Sequence, residues 1–132
     1  MSHFTRIKTQ MREWEILKAA VEAMGMRCEE GAQIELVSDA GERVHVCRII
    51  ETGRPAGRIG VYETDDGEFE FCADWFEVKR SCNLSQQVFM KRLRQHYSRI
   101  QVLRQARELG LMVEVEEQCE NGEIRIVLAE PL

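Results

Sequence analysis

Apolar residues recur along this chain at two spacings, and the switches between them restrict the fold more than any single motif does. Met11, Trp14, Leu17, Val21 and Met24 lie three or four apart, so they share one face of a helix over about 11–24. Gly25 follows and supplies the left-handed residue that stops a helix. Phe69, Phe71, Ala73 and Trp75 alternate with Glu70, Cys72 and Asp74, the period of a strand with one buried face. This alternation predicts a strand from Glu68 to Val78. The helical spacing returns at Phe89, Met90, Leu93, Tyr97 and Ile100. Ser85 suits the N-cap of that helix, and Leu84 can pack on Phe89 as a hydrophobic staple. The stripe then shifts phase to Leu103, Ala106 and Leu109. Keeping the first phase would bury Arg104 and Arg107, so a bend or break is expected between Tyr97 and Gln101.

Short runs rich in Val and Ile supply the other strands. Phe4 to Lys8 is one. Arg27–Glu30 and Gln33–Val37 read as a hairpin around Gly31. Arg43–Glu51 and Arg58–Glu63 flank a loop, Thr52–Gly57, whose two glycines and Pro55 mark it as the most mobile segment. Met112–Glu117 and Glu123–Leu128 form a last hairpin turning at Asn121-Gly122. The resulting order is β-α-β-β, three central strands, then α-β-β. It predicts an α+β fold: one domain over 1–132, a mixed or antiparallel sheet, and helices on one face. Ile16 to Met26 lines up with Val102 to Leu111 after one deletion. Segments 10–38 and 98–129 therefore read either as an internal repeat around a central 43–78 segment or as two chance copies of a common unit.

With 44% hydrophobic and 31% charged residues, the chain has enough apolar surface for a core. No apolar run approaches the ~18 residues of a membrane span, and the opening residues lack a secretory pattern. The five cysteines, Cys28, Cys47, Cys72, Cys82 and Cys119, are odd in number and include no C-x-x-C pair. A disulfide framework or zinc ribbon is not expected, and a reducing, cytoplasmic setting is. No phosphate-binding, dinucleotide-binding, metalloprotease or nucleophile-elbow motif occurs. The expectation is a protein that is not an enzyme and holds no cofactor.

Two groups of residues carry candidate chemistry. His45 and Cys47 point to one side of their strand, as do Cys72 and Asp74. If the two strands are neighbours in register, the four side chains could hold a metal such as zinc or handle an iron–sulfur group. A thiolate activated by His45 is the variant without metal. The bland alternative is a half-exposed sheet with incidental polar residues. The second group is the long helix. Residues 85–109 carry Lys91, Arg92, Arg94, Arg99, Arg104 and Arg107 against Glu108, or +5, in a chain of net charge −5. Lys91, Arg94 and Arg99 fall on its polar side. A protein partner could dock there and on the open sheet face near Tyr62 and Asp74. The alternatives are a solvated helix neutralised by the acidic last hairpin, or nucleic-acid binding, which the overall acidity argues against.

Several stretches resemble the hypothetical chloroplast reading frame thirty-five family, a domain of unknown function in plastids, cyanobacteria and other bacteria. They are Met1-Ser2-His3-Phe4 with Ile7-Lys8-Thr9, Ala73-Asp74-Trp75, Gln95-His96-Tyr97, and Gly110 with the acidic hairpin behind it. Phe76 stands where that family often has a second tryptophan. The resemblance implies no catalytic residues. It implies a non-secreted accessory or adaptor whose partner is an AAA-type ATPase or a ferredoxin-like protein, and it leaves the oligomeric state open.

Overall fold

A computed structural model describes residues 1–132. Its elements are β1 (Thr5–Lys8), α1 (Trp14–Ala23), β2 (Arg27–Val37), β3 (Arg43–Glu51), β4 (Ile59–Glu63), β5 (Phe69–Ala73), α2 (Trp75–Cys82), α3 (Gln86–Glu108), β6 (Met112–Gln118) and β7 (Ile124–Ala129). A 3-10 turn, Pro55–Gly57, sits in the loop between β3 and β4 and packs against α2. Five strands form an antiparallel sheet in the order β1-β5-β4-β3-β2, and β6 pairs only with β7. The fold is α+β, as the two spacings require.

The core lies between one face of the sheet and the helices. Leu17, Ala20 and Val21 of α1, Val78 of α2, and Phe89 and Leu93 of α3 pack with Ile50, Ile59, Val61, Phe69 and Phe71. Phe71 meets Phe89 edge to face, with centroids 5.8 Å apart, a geometry the ring quadrupoles favour. The opposite face of the sheet carries a smaller cluster of Leu36, Val46 and Ile49. Gly60 makes this possible, because a Cβ there would lie 3.0 Å from Leu36 and 3.1 Å from Val46.

Four local expectations are corrected. First, Arg27–Val37 is one strand and not a hairpin around Gly31. Its register against β3 jumps from Glu30↔Arg48 to Ile34↔Val46, so Gly31, Ala32 and Gln33 bulge opposite Cys47 alone. Second, helix α1 starts at Trp14. Met11 precedes it, buried, with its carbonyl accepting from Phe69 N at 2.9 Å. Third, α3 runs unbroken for 23 residues. The phase shift of its stripe has another cause: past Ile100 no residue joins the core, so Arg104 and Arg107 simply face solvent.

Fourth, the strand expected to reach Val78 ends at Ala73. Asp74 is the N-cap of α2, with Oδ1 accepting from Glu77 N at 3.3 Å. Its Oδ2 accepts from Ser2 Oγ at 2.7 Å and from Asp39 N at 2.9 Å. Trp75 Nε1 donates to Thr5 O at 3.2 Å. Asp74 and Trp75 together thus tie the start of the chain, the β2–β3 turn and α2 to one point. Burial alone would raise the Asp74 pKa, but the donors from Asp39, Ser2 and Glu77 outweigh it and hold the carboxylate below its ordinary range. A group held below its unfolded pKa stabilises the fold fully above about pH 4, and that contribution fades as acid protonates it. Asp74→Ala removes a cap and strands buried donors, so a loss of about 2–4 kcal/mol is expected in a urea titration at neutral pH. Asp74→Asn should lose less at neutral pH and, between pH 4 and 3, should show a shallower fall in stability than the parent.

Candidate docking surface

The long helix is placed by local signals that the sequence displays. Ser85 Oγ accepts from Val88 N at 3.1 Å, and Leu84 and Phe89 are both in the core. Phe89, Met90, Leu93 and Tyr97 are buried, which turns Lys91, Arg92, Arg94 and Ser98 to solvent. Tyr97 does more than pack. Its hydroxyl accepts from Arg12 N at 3.3 Å and Glu13 N at 3.1 Å. Helix α1 has no side-chain cap of its own at Glu13, so Tyr97 satisfies donors that would otherwise be orphaned there. Next to it, His96 Nδ1 is buried without a partner, and burial together with Arg99 lowers the His96 pKa.

Electrostatics single out this helix. Of the nine arginines outside α3, eight form an ion pair, among them Arg6–Glu70, Arg43–Glu35 and Arg58–Glu51, and only Arg54 does not. Of the five on α3, only Arg99 is paired, with Glu116 of β6. Lys91, Arg92, Arg94, Arg104 and Arg107 form no ion pair. Individual surface pairs contribute little to stability. The contrast still locates where positive potential is left uncompensated. The acidic hairpin neutralises α3 at one point only, since Glu117 turns to Arg125 instead.

Arg94 stands between two shallow depressions. One, of about 800 Å³, is bordered by Lys8, Arg12, Glu13, Tyr97 and Gln101. The other, of about 520 Å³, has Arg99 and Gln95 at its rim and Val102, Ile124 and Ile126 as its apolar part. A cationic side chain beside an apolar floor suits a protein surface carrying carboxylates around a hydrophobic anchor.

The remaining sequence candidates do not join this surface. Tyr62 lies on the opposite face of the sheet, half-buried in the small cluster, with the Arg6 guanidinium 3.9 Å above its ring. Asp74 is 5% exposed and fully engaged, so it is not a contact residue. Nor do His45, Cys47, Cys72 and Asp74 come together. Strand β4 lies between β3 and β5, and Asp74 belongs to the α2 cap. His45 Nε2 is 3.3 Å from Glu35, and the exposed Cys47 Sγ donates to Ala32 O at 3.5 Å. No three His, Cys, Asp or Glu side chains converge on a common point anywhere in the chain. The metal set expected from the sequence is therefore dispersed, because the needed strand adjacency does not exist.

The thiols divide the same way. Burial raises the Cys72 pKa, and burial with Glu22 pushes Cys28 up to about 11. Both stay protonated and unreactive at neutral pH. On titration of the native protein with a thiol reagent at pH 7.5, the first phase should come from Cys47, the one exposed thiol. Cys47→Ser should abolish it, and Cys28 and Cys72 should react only in denaturant.

Two of the stretches behind the family resemblance meet in space, the opening residues and Ala73-Asp74-Trp75. Ser2 bonds Asp74, His3 Nδ1 lies 3.0 Å from Glu42, and Tyr97 bonds the start of α1. No curated protein and no solved structure matches the chain, and no helix is long and apolar enough to cross a membrane. A family model described as a protein of unknown function, DUF1257, matches residues 20–127. That span takes in the last turn of α1, strands β2 to β6, most of β7, and both later helices, so the chain belongs to the DUF1257 family.

Proposed function

We infer that this chain is a non-enzymatic protein-interaction module, working in the cytoplasm, that receives an acidic partner on α3. The observation that carries the reading is the contrast in ion pairing: one arginine in five is paired on α3, against eight in nine elsewhere. Lys91 and Arg94 are its centre, and the Val102–Ile126 depression beside Arg94 offers the apolar anchor. Arg99, already held by Glu116, positions the hairpin more than it meets a partner. The finer resemblance to the chloroplast reading frame thirty-five family names the partner classes, an AAA-type ATPase or a ferredoxin-like protein. Nucleic acid is the poorer occupant. The aromatic rings of the helix, Phe89 and Tyr97, are buried and the Tyr97 hydroxyl is taken, so no base-stacking platform accompanies the cations.

The test is recovery of tagged full-length protein from its native host at ~150 mM salt, beside a Lys91→Glu/Arg94→Glu variant, with metal measured in both samples. The parent should retain a stoichiometric protein, and the variant should bind that protein at least tenfold more weakly with unchanged helix content. Equal retention by both sinks the reading. Retained nucleic acid, with log K falling steeply against log salt, transfers it to the polyanion alternative. Stoichiometric metal would oppose both.

A further inference from the structure

The chain holds two units of the same construction, and one of them lacks a neighbour. In both, the helix ends at a glycine with positive φ, Gly25 at 79° and Gly110 at 71°. The same hydrogen bonds close both ends: Gly25 N to Glu22 O and Met26 N to Val21 O in the first, Gly110 N to Arg107 O and Leu111 N to Ala106 O in the second. Both continue into an antiparallel pair with a bulge, β2–β3 and β6–β7. In the first unit the far edge of β3 is occupied by β4. In the second, the far edge of β7 has no strand.

That second unit is short of burial. After Tyr97, Ala106 is the only buried residue. Six of the ten exposed large apolar side chains, Val102, Leu109, Met112, Val113, Val115 and Leu132, lie in the same stretch. A two-stranded ribbon needs a third strand or a covering helix to be stable in water; α3 leaves every residue of β6 exposed, and no strand covers the far edge of β7.

The other strand edges are blunted in the ways proteins use to prevent pairing. Strand β1 has four residues, two of them Arg6 and Lys8. Strand β2 is bulged and carries Glu29, Glu30 and Glu35. Strand β6 is bulged between Val113 and Val115 and carries three glutamates. Strand β7, Ile124-Arg125-Ile126-Val127-Leu128-Ala129, has one charge, no proline and regular pairing. The apolar depression beside α3 is lined by Ile124 and Ile126 of β7 and by no residue of β6, so it opens on the free-edge side.

We propose that β7 pairs antiparallel with β7 of a second copy of this chain, forming a continuous sheet β6-β7-β7-β6 with both α3 helices on one face. The charge pattern selects a second copy. Pairing about a two-fold at Ile126 or at Val127 sets Arg125 opposite Val127 or Ala129, never opposite itself. It also places the glutamate-rich β6 strands at the outer edges, as far apart as the sheet allows. Any β6–β6 contact would instead bring like charges together. A two-fold contact is isologous, so one strand supplies both halves of the interface.

Sedimentation of the purified full-length chain over a wide concentration range, with hydrogen exchange on the same samples, tests this. The expected species has twice the 15.3 kDa chain mass, and β7 amides gain protection as it forms while β1 amides do not. Val127→Lys should weaken the dimer at least tenfold, and Lys91→Glu/Arg94→Glu should leave it intact, which separates this proposal from the docking surface on α3. If Val127→Lys fails to fold, the exchange data on the parent decide. A monomer at every concentration overturns the proposal. So does a dimer whose β7 amides exchange as fast as in the monomer, and so does β7 protection that appears only on adding a different protein.

Discussion

Asp74 is the point on which three separate parts of the chain depend. Its carboxylate takes hydrogen bonds from the first residues, from the β2–β3 turn and from the first turn of α2. A buried carboxylate is costly unless it is hydrogen-bonded. Here the donors are supplied from segments remote in sequence, so the cost is offset only when all of them arrive together. This makes the junction cooperative. It also explains why β1, only four residues long and at a sheet edge, is held in place: Trp75 and Asp74 fasten it from the side. Trp75 in turn packs 5.7 Å from Phe89, which links the junction to α3. The helix that carries the positive surface is therefore oriented by the same corner that locks the amino-terminal segment.

Charge is distributed in a way that this corner does not explain. Most arginines on the sheet are spent on neighbouring strands, as in Arg43 with Glu35 and Arg48 with Glu30. Such pairs follow from strand register, which sets opposite charges across from one another. On α3 only Arg104 has an acidic neighbour at three or four residues, Glu108, and the two form no ion pair. Glu108 is the only carboxylate of the helix, so composition leaves the other cations without an intrahelical partner. Stability does not require this, because a mixed-charge helix would gain from pairing at those spacings. A helix that forgoes them leaves its cations uncompensated within the chain.

How far the sequence could be read depended on the range of each signal. Caps and turns were legible because their physics is local: Ser85, Gly25, Gly110 and the Asn121-Gly122 turn all act within a few residues. The ends of β5 were not. Trp75 continues the alternation of Phe69, Phe71 and Ala73, and it points inward, but from the first turn of a helix. Period two and period 3.6 agree at that one position, so the pattern concealed the switch. Gly31 misled for a similar reason, since a bulge and a hairpin turn use the same residue types. The grouping of His45, Cys47, Cys72 and Asp74 failed at a longer range. It needed β3 beside β5, and strand order is fixed by packing between segments far apart in sequence. The exposure of Lys91 and Arg94 was legible because they belong to one helix, whose faces are set by the helical period alone.

The two ends of α3 sit in different environments. Its first half is a core element, with Phe89 and Leu93 fully buried. Its second half carries β6 and β7 and contributes only Ala106 to buried surface. The phase shift at Ile100 is the sequence trace of that division. Before it the apolar stripe faces a five-stranded sheet. After it the stripe turns toward a ribbon too small to cover it. A continuous helix joins the halves, so any partner strand that completed the ribbon would be rigidly coupled to the basic surface at Lys91 and Arg94. Joining two copies at β7 would set two such surfaces on one side of one sheet, doubling the positive potential that a single acidic partner meets without adding a charge to either chain.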